Sequence, residues 1–136
     1  MANIRENSKS NNKLKGGIGE EIACKYLINK GFCIVGRNYR KIWGEIDIIV
    51  TKDKIIHFIE VKSVTYQSVD YFNYVSHRPE DNVDGFKIRQ IRRMVQTYLS
   101  EYNIGLDMEF KFHVLCVYLN LATKLAKVKM IENIIL

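Results

Sequence analysis

Four ionisable residues interrupt the most apolar stretch of this chain. Residues 44–62 read GEIDIIVTKDKIIHFIEVK, with Glu45, Asp47, Glu60 and Lys62 set among isoleucines, valines and a phenylalanine. Side chains alternate across a strand, so Glu45, Asp47 and Ile49 share one face while Ile46, Ile48 and Val50 share the other. In the second half Ile56, Phe58, Glu60 and Lys62 lie together. Pairing Val50 with Ile55 sets Asp47 opposite Phe58 and Glu45 opposite Glu60, with Asp47 diagonal to Glu60 at roughly 7–8 Å between backbones. All four polar groups then point the same way; a slip of one residue would separate them. Like charges gathered on one face are destabilising unless compensated. A hard divalent cation, Mg2+ or Mn2+, is one compensation, because carboxylate oxygens select such ions. A cross-strand bridge from Lys62 to Glu60 or Glu45 on an exposed face is a second, and a carboxyl that keeps its proton is a third.

The surrounding pattern supplies the elements that must hold this hairpin. From Gly17 the residues Ile18, Ile22, Tyr26 and Leu27 fall at helical spacing, Glu20 and Glu21 sit in the first turn, and Gly31 provides a stop. FCIVGRNY reads as a first strand. The two acid-bearing strands follow, joined by a short turn at Lys52–Asp53. Residues 64–82 read as a long irregular loop containing Tyr66, Tyr71, Phe72, Tyr74 and Pro79. Asp84 can cap a second helix with the stripe Ile88, Ile91, Val95, Tyr98 and Leu99, whose opening turns carry Lys87, Arg89, Arg92 and Arg93. FKFHVLCVYL is a further strand, and LAKVKMIENIIL adds one or two more. Helix, three strands, helix, two strands indicates an α/β fold with a mixed central sheet flanked by helices. Residues 1–14 read as a flexible polar tail and residues 15–136 as a single domain.

Composition narrows the class further. Twenty-one Lys and Arg against 15 Asp and Glu leave a net charge of +6, which favours a polyanionic partner. Cys24, Cys33 and Cys116 have no metal-ligand spacing and read as small apolar core residues in a reducing compartment. The segment MANIRENSKSNNKLKGG lacks the apolar run of a signal peptide, and no apolar run spans a bilayer, so a cytoplasmic protein without a membrane partner is expected. His57 falls on the strand face away from Glu60, which takes it out of the candidate site; His113 reads as a satisfied strand residue. Trp43 can stack on unpaired bases or cover a core edge.

Asp47 followed in the next strand by Glu60-Val61-Lys62 looks like the D…(D/E)-x-K signature of the PD-(D/E)XK nuclease superfamily. The ordered set GIGEEIACKYLINKGF, RNYR, GEIDII, FIEVK and the Lys87-led basic helix resembles, more closely, the YraN-like endonuclease-related family, whose core is similar to that of archaeal Holliday junction resolvases. The resemblance runs from Gly16 to Leu99 and implies a restriction-endonuclease-like core, α-β-β-β-α-β, with the site at the sheet edge. It implies that Asp47, Glu60, the Val61 carbonyl and Glu20 hold Mg2+ or Mn2+, that Lys62 orients and helps deprotonate a water, that Glu45 lends support behind them, and that Lys87 contacts phosphate. Arg89, Arg92 and Arg93 extend that contact. One departure from the family pattern is His113, at a strand position where an Asp is common. The function so implied is metal-dependent hydrolysis of DNA phosphodiesters in branched, nicked or single-stranded forms, by a homodimer. Two alternatives stand beside it: a non-catalytic nucleic-acid-binding module, and an interaction protein in DNA processing or uptake.

Overall fold

In the computed structural model of the protein, residues 17–66, 85–105 and 107–136 are described. Helix α1 (residues 17–29) leads into β1 (Cys33–Lys41), β2 (Gly44–Lys52) and β3 (Ile55–Tyr66). Helix α2 (Gly85–Glu101), β4 (Phe110–Asn120) and β5 (Leu125–Ile131) follow. The strands form one five-stranded sheet in the order β1-β2-β3-β4-β5. All neighbours are antiparallel except β3 and β4, which are parallel because α2 lies between them in the chain. The arrangement is a mixed α/β sheet with two helices. Strand β3 takes in residues 64–66, which the sequence reads as loop. The rest of that expected loop, with Tyr71, Phe72, Tyr74, Pro79 and the Asp84 cap, lies outside the described residues, as does the expected tail at 1–14.

Alternate residues of the central strands serve opposite layers. On one face Ala23, Cys24 and Leu27 of α1 meet Ile48, Val50, Ile59, Leu115 and Val117; on the other, Ile91, Met94 and Val95 of α2 meet Ile49, Phe58, Phe112, Val114 and Cys116. Strand β4 is covered on both faces, which explains its nearly unbroken apolar sequence. The expected helical stripes hold in part: Ile22 and Tyr26 pack against the α1-side core around Leu27, and Tyr98 and Leu99 against the α2-side core. Ile18 is exposed and the α1 core face is Ala23, Cys24 and Leu27, while on α2 Met94 joins Ile91 and Val95. Cys33 is exposed on edge strand β1, unlike the buried Cys24 and Cys116. Ile46 belongs to the α2-side cluster and not with Ile48 and Val50, because β2 has left its pairing with β3 by that residue.

The small residues of α1 decide how close it comes. A Cβ on buried Gly19 would stand 1.9 Å from Ser63 Oγ and 3.1 Å from Ser63 Cβ, so only glycine lets the first turn of α1 rest on β3. Gly31, with φ near 90°, ends the helix as expected and turns the chain so that the Phe32 N–H reaches the Leu27 carbonyl at 3.0 Å. Gly19→Ala is expected to cost about 1–3 kcal/mol by overpacking, and Ser63→Gly in the same chain to restore most of it. Denaturant midpoints of the single and double variants measure this.

A buried polar chain ties the residues after β5 to the sheet. The Asn133 N–H donates to His113 Nδ1 at 3.0 Å, so Nε2 carries the proton and donates to His57 Nδ1 at 2.8 Å. The Ile134 N–H adds a bond to the Phe112 carbonyl at 2.9 Å. His113 is therefore the satisfied strand residue that its context predicts. Burial, with His57 and Lys111 nearby, pushes His113 down to about 4, and burial with Lys111 lowers His57. Both rings are held neutral in the fold and bind protons more readily in the unfolded chain. Their contribution is complete above the unfolded value near 6.5 and is lost as pH falls toward 4. Between those values the wild type should lose more stability than His113→Gln, as read by thermal unfolding at stepped pH.

Candidate metal centre at a fork between two strands

The site forms where β2 and β3 part. The turn between them is tighter than the sequence reading assumed: Asp53 and Lys54 both have positive φ, and Lys52 pairs with Ile55 and Val50 with His57. This corrects the expected Val50–Ile55 pairing by two residues, an even shift that leaves the faces of the paired residues 48–52 and 55–59 as expected. Glu45 therefore does not stand opposite Glu60; one step beyond the last pair, Ile48 with Ile59, Asp47 and Glu60 come abreast. There the pairing ends. β2 continues along β1 as far as Gly44, and β3 along β4 as far as Tyr66. In the gap, the Val61 N–H donates to Asp47 Oδ2 at 2.8 Å, a side chain taking the place of a strand. The site lies between interior strands, not at the sheet edge, because the edge strands are β1 and β5.

Both helices bring residues to this fork. Across it lies the first turn of α1, with Gly19 against Ser63 of β3 and Glu20 paired to Arg37 of β1 at 3.9 Å. Carboxylate oxygens of Glu20, Glu45 and Asp47 all lie within 4.8 Å of one another. Glu45 is also paired across the β1–β2 ladder with Arg40 at 3.0 Å. Glu60, which lines the same cavity as Asp47, faces two ammonium groups, Lys87 Nζ at 2.5 Å and Lys62 Nζ at 3.7 Å. A cavity of about 200 Å³ opens here, lined by Glu45, Asp47, Glu60, Lys87, Gln90 and Met94 among others. Gln90 and Met94 were missed in the sequence, yet their spacing from Lys87, three and seven residues on, puts them on one helical stripe.

Crowding of like charges sets the electrostatics. Burial, then Glu60, push the Asp47 carboxyl up to about 8, against the lowering effect of the Val61 N–H. Burial and Glu45 raise Glu20, with Arg37 opposing. Burial lowers Lys62, and the neighbouring Lys87 ammonium lowers it further. Burial also acts against Lys87, but its contacts with Glu60 and Lys62 outweigh this and leave it raised. Lys87 thus keeps its proton while Lys62 is the amine driven toward neutrality. The cluster combines hard oxygen donors with an amine able to exchange a proton, a donor set suited to Mg2+ or Mn2+.

The remaining candidates divide by location. Arg89, Arg92 and Arg93 are exposed on α2, and none of them has a carboxylate partner among the described residues. Trp43 packs against the α2-side core, and the Arg93 guanidinium lies 4.6 Å from its ring centre, so that face of the ring is not available for base stacking. His57, part of the buried histidine pair, is outside the site as expected.

Replacing Asp47 removes a buried charge while keeping an oxygen for the Val61 N–H. The folded carboxyl holds its proton to about 8 against 3.8 in the unfolded chain, so its cost to stability appears as pH rises between those values. In the presence of a chelator, Asp47→Asn should gain about 1–3 kcal/mol at pH 8 and much less at pH 4, the gain being the relieved desolvation of an uncompensated carboxylate. Urea unfolding at the two pH values tests this.

Relatives share the segments that build this fork. A family model described as "Uncharacterised protein family UPF0102" matches residues 19–117, from the first turn of α1 into β4. A UPF0102 protein of Campylobacter lari is 41% identical over 117 residues, covering 85% of this chain and 88% of the relative. One from Campylobacter fetus is 36% identical over 121 residues, 89% and 93% of the two chains. Another from Clostridium botulinum is 35% identical over 122 residues, 90% and 94%. With one family model matching residues 19–117 and relatives aligned nearly end to end, this chain belongs to the UPF0102 family.

Proposed function

We propose that the protein is a divalent-metal-dependent endonuclease that hydrolyses DNA phosphodiester bonds on a restriction-endonuclease-like core of the PD-(D/E)XK type. The observation that carries this reading is the convergence of Asp47, Glu60 and Lys62 on one fork, with Glu20 and Glu45 brought to Asp47. Asp47, Glu60, Glu20 and the Val61 carbonyl would hold Mg2+ or Mn2+, with Glu45 supporting them. When bound, the cation polarises a phosphoryl oxygen and makes water a stronger acid.

The chain's own groups account for the rest. Lys62, pressed toward neutrality by burial and Lys87, accepts a proton as the water oxygen bonds to phosphorus and the bond to the leaving oxygen breaks, that oxygen taking a proton from solvent water. Its ammonium form then offsets charge growing on the phosphoryl oxygens. Lys87, Arg89, Arg92 and Arg93 hold the strand through its phosphates, in keeping with the net charge of +6. Branched, nicked and single-stranded DNA are the substrate forms proposed, acted on by a cytoplasmic homodimer; among the described residues no helix is long and apolar enough to cross a membrane.

A second reading has its own support. Arg40 is paired with Glu45 and Lys87 with Glu60, as in a non-catalytic nucleic-acid-binding or DNA-processing interaction protein that retains the nuclease fold and balances its acids with its own side chains. Nicking of a flap, junction, nicked and single-stranded DNA panel in Mg2+ or Mn2+ decides between them. Asp47→Ala and Lys62→Ala should each lower the rate by about a hundredfold or more. Salt-dependent DNA binding without cleavage in any metal would instead establish the binding protein.

A further inference from the structure

Glu60 is claimed from two sides. Its Oε1 lies 2.5 Å from Lys87 Nζ and 3.7 Å from Lys62 Nζ, and the same carboxylate lines the cavity with Asp47 and Glu45. A doubly charged cation taking Glu60 as ligand must displace the nearer ammonium, since it would repel Lys87 twice as strongly as Lys62 does at equal distance. Lys87 has somewhere to go. It stands in the first turn of α2, its side chain is 28% exposed at the cavity wall, and its flexible four-carbon stem carries a point charge. Arg89, Arg92 and Arg93 continue the same helix toward solvent.

We infer that Lys87 is a displaceable counter-ion that couples the two ligands of the site. It holds Glu60 until a divalent cation arrives, and the released ammonium then binds a phosphodiester oxygen of DNA. This rests on the nuclease reading and adds regulation to it: cation and DNA each tighten the binding of the other. Linkage makes the effect reciprocal, because whatever takes Glu60 from Lys87 frees Lys87 for phosphate, and whatever draws Lys87 away frees Glu60 for the cation.

Calorimetric titration with Mn2+, with and without a cleavage-resistant phosphorothioate oligonucleotide, tests the coupling. In the wild type, oligonucleotide affinity should rise about fivefold or more with Mn2+, the low end of ordinary coupling between sites. Lys87→Met should bind Mn2+ more tightly than wild type and lose most of that coupling. Lys25→Met, which removes one charge from the exposed face of α1 without touching Glu60, should leave both unchanged. If Lys87→Met does not fold, Lys87→Gln carries the same expectation. Mn2+ affinity in the Lys87 variant no higher than in wild type, coupling retained, or an equal gain in Lys25→Met would each overturn the inference and leave the nuclease reading standing. No uptake of Mn2+ by either wild type or Lys87 variant would overturn both.

Discussion

A single hydrogen bond, from the Val61 N–H to the Asp47 carboxylate, marks the constraint on which the rest depends. Two strands that pair tightly near their turn separate after Ile48 and Ile59, and each is then held by its other neighbour. Backbone groups exposed by such a separation need partners, and a side chain from the departing strand supplies one. The residues beside the fork, Glu60 on one strand and Glu45 on the other, line a cavity together with Asp47.

The cost of that arrangement is visible in the charges. Asp47 is buried beside other carboxylates and holds its proton toward neutral pH, and Lys62 is drawn toward its neutral form. A domain selected for stability alone would fill this position with another isoleucine. Perturbed groups clustered in a cavity are the usual mark of a functional site, and sites of this kind are where local sequence and global stability disagree. Arg37 and Arg40 on β1 and Lys87 on α2 moderate the conflict.

The helices do more than cover the sheet. Gly19 brings the start of α1 onto Ser63, which places Glu20 over the fork. The α2 stripe buries Met94 against Gly44 and, from the same face, extends Lys87 and Gln90 to the cavity. A displacement of either helix would move charge at the site without touching its strands. Fold and site are thus one packing problem, solved by small residues at the points of closest approach.

Much was legible in residue order alone. Alternation placed Asp47, Glu60 and Lys62 on one face, and Gly31 ended α1, because strand period and glycine conformation are local properties of the chain. The order of helix and strands announced a mixed sheet for the same reason. Pairing was decided only in three dimensions: the two-residue turn moved the register by two positions and set Asp47 abreast of Glu60, and α1 brought Glu20 to Asp47 and Glu45. The exposure of Ile18 and Cys33, and the choice of Lys87 as partner of Glu60, were likewise tertiary outcomes. Local period tells which way a side chain points. Which distant charge it meets depends on how closely whole elements can approach, and no stretch of sequence encodes that by itself.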